Sequence, residues 1–425
     1  MKRTFPYLLS LFFILLISIP ASWLFKGGST PEESVVEARE AVALKPASSP
    51  NLSRAITLIK EGDYWEGAAL LIDLYTSASF VAKFETAASD QFPFRLPIIQ
   101  FSKALERGII KLTYFFTPDP VIPADMGMEI YFDSENNQLI YLPTPFNQTT
   151  RDFIDERITN YKQLIEDHPD QNFYLYYHEI LENSSFNPLN SYFVEADKNQ
   201  SIKYFEENLP EGLELQKFML ENMDEHLKYY YRTDHHWTIH GILRAYEEIH
   251  SMLIKSYPDI SPMLEINGIV EFPDVEFLGS MARESLFPID GDDFLVDDVS
   301  FSSFEMIKSG QEIKDSPRTA YFSGDYSTIP YTNHFNAFYG KVTDLIEYTF
   351  ENDADRNLLV IGSSYRNALD PLLASHYHKT YCIDLRYFTD FSLSDFLDEY
   401  DVDDILIVGD DEVAFEDVEY WKINP

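Results

Sequence analysis

The chain has 425 residues, 45% hydrophobic and 15% aromatic, so its bulk can bury a sizeable core and is not a disordered polymer. Its 71 Asp and Glu against 32 Lys and Arg give a formal charge of −39. Such a surface repels phosphate backbones and argues against a nucleic-acid partner, while the acidity by itself names no substrate.

At the N-terminus, Lys2 and Arg3 precede an uncharged apolar run from Phe5 to Phe25. That run is long enough to cross a hydrocarbon core of about 30 Å, and the leading positive charges keep the N-terminus in the cytoplasm. The competing reading is a cleaved signal peptide; Pro20 and Trp23 make a poor cleavage context. We therefore read 1–26 as a cytoplasmic tip and transmembrane anchor, with the rest of the chain at the membrane but outside the cytoplasm. Residues 27–50, rich in Gly, Ser, Pro and charge, read as a linker.

Residues 51–118 read as a helical N-terminal region. Ile56, Ile59, Ala68 and Leu71, then Ile98, Ile99, Leu105 and Ile109, recur at helical spacing, interrupted by DQFPFRLP at 90–97. Residues 119–425 read as one α/β domain. MEIYFD and NQLIYLP, separated by SEN, predict a hairpin. A helix at 150–168 and a strand at 173–180 follow. The stretch 239–256 predicts an amphipathic helix with Ile239, Ile242, Leu243, Tyr246, Ile249, Met252 and Leu253 on one face. The last quarter alternates strand NLLVIG (357–362), helix NALDPLLASHY, strand KTYCIDL, helix SLSDFLDEY and strand DDILIVGD. That order implies a parallel sheet with right-handed crossovers and a ligand site beyond the carboxyl ends of its strands. Cys382, in the apolar run TYCIDL, is the single cysteine, so no intrachain disulfide is possible and a buried, inert thiol is expected. An extracytoplasmic chain without disulfides fits a bacterial envelope.

Two short segments carry chemistry. The first is Ile361-Gly-Ser-Ser-Tyr-Arg-Asn367 at a strand-to-helix turn. A serine there stands at the ligand crevice, near helix N–H groups that can stabilise an oxyanion, and Gly362 permits a tight turn. Serine needs a base. The second segment, Tyr231-Arg-Thr-Asp-His-His-Trp-Thr238, supplies one: a bend can bring Asp234 to the ring N–H of His236, with Tyr231 and Trp237 walling out water. Taken singly, a Gly-Ser-Ser turn is a common cap and an Asp-x-His pair a common surface feature. A metal reading stays open as well, since His236 and His240 stand four apart near Asp234 and His235.

The tetrad Asp-His-His-Trp at 234–237 resembles the signature of the DHHW proteins, relatives of the alginate O-acetylation proteins with an SGNH hydrolase-like domain. The stretches 84–109, with Asp-Gln-Phe-Pro, and 360–388 are similar to further parts of that family, so the resemblance spans about residues 80 to 415. It implies an SGNH-like three-layer parallel sheet in permuted order and a triad of Ser364, His236 and Asp234. Ser364 rather than Ser363 takes the nucleophile slot, because Tyr365 supplies the aromatic that follows it. Many SGNH proteins have an Asp where this chain has Ser363. Asn367 is the candidate for the oxyanion-hole Asn, with a plain place in the helix's first turn as its alternative. Tyr365, Trp237, Arg386 and Tyr387 are the expected substrate-binding residues, with an ion pair to a neighbouring carboxylate as the alternative for Arg386.

The implied activity is acyl transfer, acetyl by preference, to or from hydroxyls of a cell-surface glycan, with no metal or organic cofactor. An acyl donor, which a membrane acyl-transfer protein can supply, is the implied partner. The alternatives are a non-catalytic envelope protein that binds glycans or scaffolds an assembly, and a metalloenzyme using His236 and His240.

Overall fold

The computed structural model describes residues 120–124, 129–314, 316–324, 332–388 and 391–415, and the single positions Ala104, Arg107, Gly108, Ile110 and Ile423. The expected anchor at 1–26, the linker at 27–50 and nearly all of the helical region 51–118 lie outside them. Among the described residues no helix is long and apolar enough to cross a membrane.

The hairpin expected near residue 130 forms. Strands β1 (Val121–Pro123), β2 (Ile130–Asp133) and β3 (Gln138–Tyr141) make a small antiparallel sheet. The main sheet has eight strands: β4 (Asn172–His178), β5 (Leu213–Phe218), β8 (Phe304–Lys308), β9 (Gln311–Glu312), β10 (Leu345–Phe350), β11 (Asn357–Gly362), β12 (Lys379–Ile383) and β13 (Asp404–Gly409), in spatial order β5-β4-β13-β11-β12-β10-β8-β9. A separate ribbon pairs β6 (Ile266–Phe277) with β7 (Asp292–Val299).

The expectation of a purely parallel sheet needs correction. The five strands from β5 to β12 are parallel, but β10 joins β12 antiparallel and extends the sheet through antiparallel β8 and β9. The sheet is mixed. The sequence cue lay in the last quarter, which does form the parallel β11-β12-β13 unit; the alternating burial of LIEYTF gave no strand direction.

Every residue of β11 and β13 is buried, because both faces are covered. One face packs Tyr174, Tyr176, Leu358, Val360, Leu406 and Val408 under the helix Ile239–Leu253. The other packs Phe173, Leu175, Leu359, Ile361, Ile405 and Ile407 under the helices Gln148–Asp167 and Leu393–Glu399. The first of these helices starts where Asn147 accepts the Thr150 N–H, and its buried Ile154, Tyr161 and Leu164 keep helical spacing. The result is three layers, as expected. β12 and β13 flank β11 on opposite sides, so the chain leaves β11 one way and returns the other, opening a crevice beyond its carboxyl end.

Candidate functional site

Ser364 lies two residues beyond Gly362, the last residue of β11, and opens a short 3-10 helix, Ser364–Ala368. The helix expected over 367–377 is thus split into this turn and an α-helical segment, Asp370–Ala374, with Pro371 in its first turn. Gly362 is required for a reason other than a tight turn. A Cβ there would stand 2.4 Å from the carbonyl oxygen of Val408 on β13. Close packing of the two strands, rather than backbone freedom, excludes a side chain.

The Asp234-His236 segment sits in a closed loop ahead of the helix Ile239–Leu253. Tyr230 bridges Trp237, and the Tyr231 N–H donates to the His236 carbonyl. Asp292 holds the loop from outside: it accepts from the backbone N–H groups of Arg232 and Thr233, from Arg232 Nε and from the Thr233 hydroxyl. The two segments dock through Tyr365, whose hydroxyl donates to the His235 carbonyl at 2.9 Å.

This docking puts the three side chains in one hydrogen-bonded chain. Asp234 Oδ1 lies 2.5 Å from His236 Nδ1, and His236 Nε2 lies 2.8 Å from Ser364 Oγ, across 128 residues of sequence. Asp234 also accepts from the backbone N–H groups of His236 and Ser280. Burial alone would raise its pKa; the facing His236 and His235 and the bonds from His236 outweigh burial and hold the carboxyl well below the usual carboxylate range. An ionised carboxylate can only accept, so Nδ1 of His236 carries the proton and Nε2 presents a lone pair to the serine hydroxyl. The imidazole is wedged between Phe335 (ring centroids 4.1 Å apart) and His235 (4.0 Å).

Space for Asp234 comes from Gly279. A Cβ on Gly279 would lie 2.1 Å from Asp234 Cβ, an impossible contact. Gly279, Ser280, Asp292 and Phe335 thus support the trio without having been singled out in the sequence. The only available signal was the Gly-Ser step before the helix Ser280–Ser285, and nothing in the sequence tied it to Asp234.

The expected substrate contacts fare unevenly. Trp237 is wholly buried, packed edge-on to His178 and Tyr365, so it props the loop from below and touches no solvent. Tyr365 is also buried and acts as the clamp described above. For both, a packing position replaces the expected surface contact, because the histidine loop closes over the two rings. Tyr231 is likewise buried, against Phe277. Tyr387 is 53% exposed. Arg386 forks onto Asp384 through Nε and Nη2, which is the ion pair held open as its alternative. Burial lowers the pKa of His235, and His236, Arg283 and Arg386 push it the same way against Asp234, so His235 stays neutral. Asn367 turns its amide to the Gly340 carbonyl at 3.0 Å and so is committed within the fold. Cys382 is buried, as expected.

The metal geometry differs from the sequence reading. His240 is exposed and lines a cavity with Lys228, Arg232 and Asp293, from which His236 is absent. Asp234, His235 and His236 do bring ligand atoms within 4.8 Å of one another. But the ligands of a tetrahedral ion stand roughly 3.3 Å apart. The 2.5 Å contact of Asp234 with His236 and the 2.8 Å bond of His235 Nδ1 to Ser280 Oγ already engage those atoms.

No protein-family model matches the chain, and no curated protein does. Several solved structures do. PatB1 of Bacillus cereus is similar at 19% identity over 68% of this chain and 97% of that one, with a TM-score of 0.56. A second PatB1 structure, with a sulfonyl adduct, matches at 17% identity over 70% and 97%, with a TM-score of 0.53. A DHHW family protein from Eubacterium siraeum is also among them, at 18% identity over 68% and 97% and a TM-score of 0.49. At such identities the likeness to PatB1 is one of fold, and it spans nearly the whole of that chain.

Proposed function

We propose that this chain transfers an acyl group, acetyl by preference, to or from a hydroxyl of a cell-surface glycan through an acyl-serine on Ser364. The observation that carries the reading is the unbroken chain from Asp234 through His236 to the Ser364 hydroxyl. Ser364 Oγ attacks the acyl carbonyl carbon as its proton passes to His236 Nε2. Asp234 keeps the opposite ring nitrogen protonated and stabilises the imidazolium. The Ser364 and Tyr365 amide N–H groups precede the first bond of the 364–368 turn, Arg366 N–H to the Ser363 carbonyl, and are the donors this turn offers to the carbonyl oxygen as it gains charge. The imidazolium then protonates the leaving group. In the second half, a sugar hydroxyl or water gives its proton to His236 and attacks the acyl carbonyl, and as the acyl–Oγ bond breaks the imidazolium returns a proton to Ser364 Oγ.

The reading is supported by the fold shared with PatB1, one structure of which carries a sulfonyl adduct. Within the same proposal, the run Phe5 to Phe25 holds the chain in the cell membrane with the α/β domain outside the cytoplasm, where a membrane acyl-transfer protein can supply the acyl donor.

The test is Ser364→Ala. We expect the wild type to hydrolyse 4-nitrophenyl acetate and to be modified by an aryl sulfonyl fluoride at Ser364, read by peptide mass spectrometry. The variant should lose both, together with acetylation of the surface glycan. A wild type that is inert and unlabelled, with surface acetylation unchanged in the variant, would favour the glycan-binding or scaffold alternative.

A further inference from the structure

Beneath the nucleophile turn lies a buried charge that the chemistry above does not use. Arg366, two residues beyond Ser364, is fully buried. Its Nη1 pairs with Asp370, also buried. Burial lifts the Asp370 carboxyl to about 6 against the pull of Arg366. The Cys382 thiol beside them is pushed up by its own burial and by Asp370.

Such a pair is a poor device for stability alone. Taking two charges out of water carries a large desolvation cost, and apolar replacements of a buried pair are often neutral or stabilising. Its geometry suggests another use. Arg366 bonds back into the turn twice: its backbone N–H donates to the Ser363 carbonyl at 3.2 Å, and its Nε donates to the Gly362 carbonyl at 3.1 Å. The two carbonyls immediately before the nucleophile are therefore held by one residue two positions after it. Gly362 is in turn wedged against Val408 of β13. The strap fixes Ser364 relative to the sheet, while Tyr365 fixes it relative to the histidine loop.

We propose that Arg366 is a positioning residue for Ser364, fastening the nucleophile turn to the end of β11, with Asp370 as the counter-charge that lets the guanidinium stay buried. The inference rests on the acyl-transfer reading.

Arg366→Lys separates strap from charge, because the ammonium can still face Asp370 but has no Nε to hold Gly362. In the full-length protein we expect kcat on 4-nitrophenyl acetate to fall about 100-fold, the scale of a misplaced reacting group. KM should be unchanged, the sulfonylation rate of Ser364 should fall by the same factor, and the unfolding midpoint should stay within about 5 °C. Should the lysine variant fold poorly, the pair Arg366→Met with Asp370→Leu removes both charges and decides the matter: a folded, slow enzyme with wild-type KM supports the strap. Either folded variant keeping kcat within about threefold of wild type, or losing only in KM, overturns it. A wild type that is inert and unlabelled at Ser364 would overturn the acyl-transfer reading itself, and the strap with it.

Discussion

Among the described residues several serine–histidine pairs lie within hydrogen-bond distance, and comparing two of nearly equal geometry shows what makes one a candidate for chemistry. In the first, His236 Nε2 lies 2.8 Å from Ser364 Oγ. In the second, His376 Nδ1 lies 2.7 Å from Ser261 Oγ. The difference is on the far side of each ring. His236 faces a carboxylate held ionised, which only accepts, so the nitrogen toward the serine is a proton acceptor. His376 faces the Tyr246 hydroxyl at 2.6 Å. That oxygen already accepts from the Leu264 N–H, and among the described residues His376 Nε2 is the acceptor offered to its proton. Burial raises the Tyr246 phenol to about 12, so it remains a donor. Nδ1 of His376 must then carry the ring's proton and donate it to Ser261, and a serine facing a donor is not activated. Partner chemistry, rather than serine–histidine distance, separates a base from a structural linker.

The strongest way to break this comparison is to change the partner. Asp234→Asn puts a donor opposite His236 and forces the wrong tautomer, so kcat on 4-nitrophenyl acetate should fall about 10⁴-fold with the fold intact. Tyr246→Phe should leave kcat within about twofold and cost about 1–3 kcal/mol in urea unfolding, the penalty of an unsatisfied buried imidazole. Equal effects of the two variants on kcat would refute the assignment.

A smaller loss should follow from Gly279→Ala, which leaves every member of the trio in place but puts a methyl where Asp234 stands. We expect about a 10²-fold fall in kcat, measured beside a thermal midpoint to separate displacement from unfolding.

The comparison also has a pH signature. Burial, aided by His250, lowers the His376 pKa to about 4, whereas the unfolded imidazole titrates near 6.5. Its contribution to stability is present above pH 6.5 and is lost as pH falls through 6.5 toward 4, because only the unfolded state gains the proton. The loss is at most about 3 kcal/mol. His376→Gln should flatten the stability curve over that window, and an unchanged slope would contradict a neutral buried imidazole.

The smallest effect is expected of Ser261→Ala. Ser261 is exposed and receives the imidazole proton, so activity should be unaltered and stability should change by less than about 1 kcal/mol. A measurable loss of turnover there would mean the second pair takes part in catalysis.

Much of this was legible in the sequence. The buried-type runs of the last quarter gave the β11-β12-β13 unit, because a strand covered on both faces is continuously apolar. The Gly-Ser-Ser turn and the Asp-His-His-Trp tetrad, through their family resemblance, pointed to Ser364, His236 and Asp234, whose side chains lie in one hydrogen-bonded chain. Local spacing also gave the amphipathic helix Ile239–Leu253. These readings succeeded because period, turn chemistry and motif are properties of neighbours along the chain.

What tertiary structure alone decided were relations between distant residues. The antiparallel edge of β10, β8 and β9 depends on where strands land in the sheet. Trp237 and Tyr365 are buried because the histidine loop closes over them, not because of their own hydropathy. Gly279 is set by the space Asp234 needs 45 positions earlier. Ser261 and His376, 115 positions apart, meet as closely as Ser364 and His236 do. Hydrogen-bond polarity is set by what stands behind each ring, and a linear sequence does not record which donor or acceptor that is.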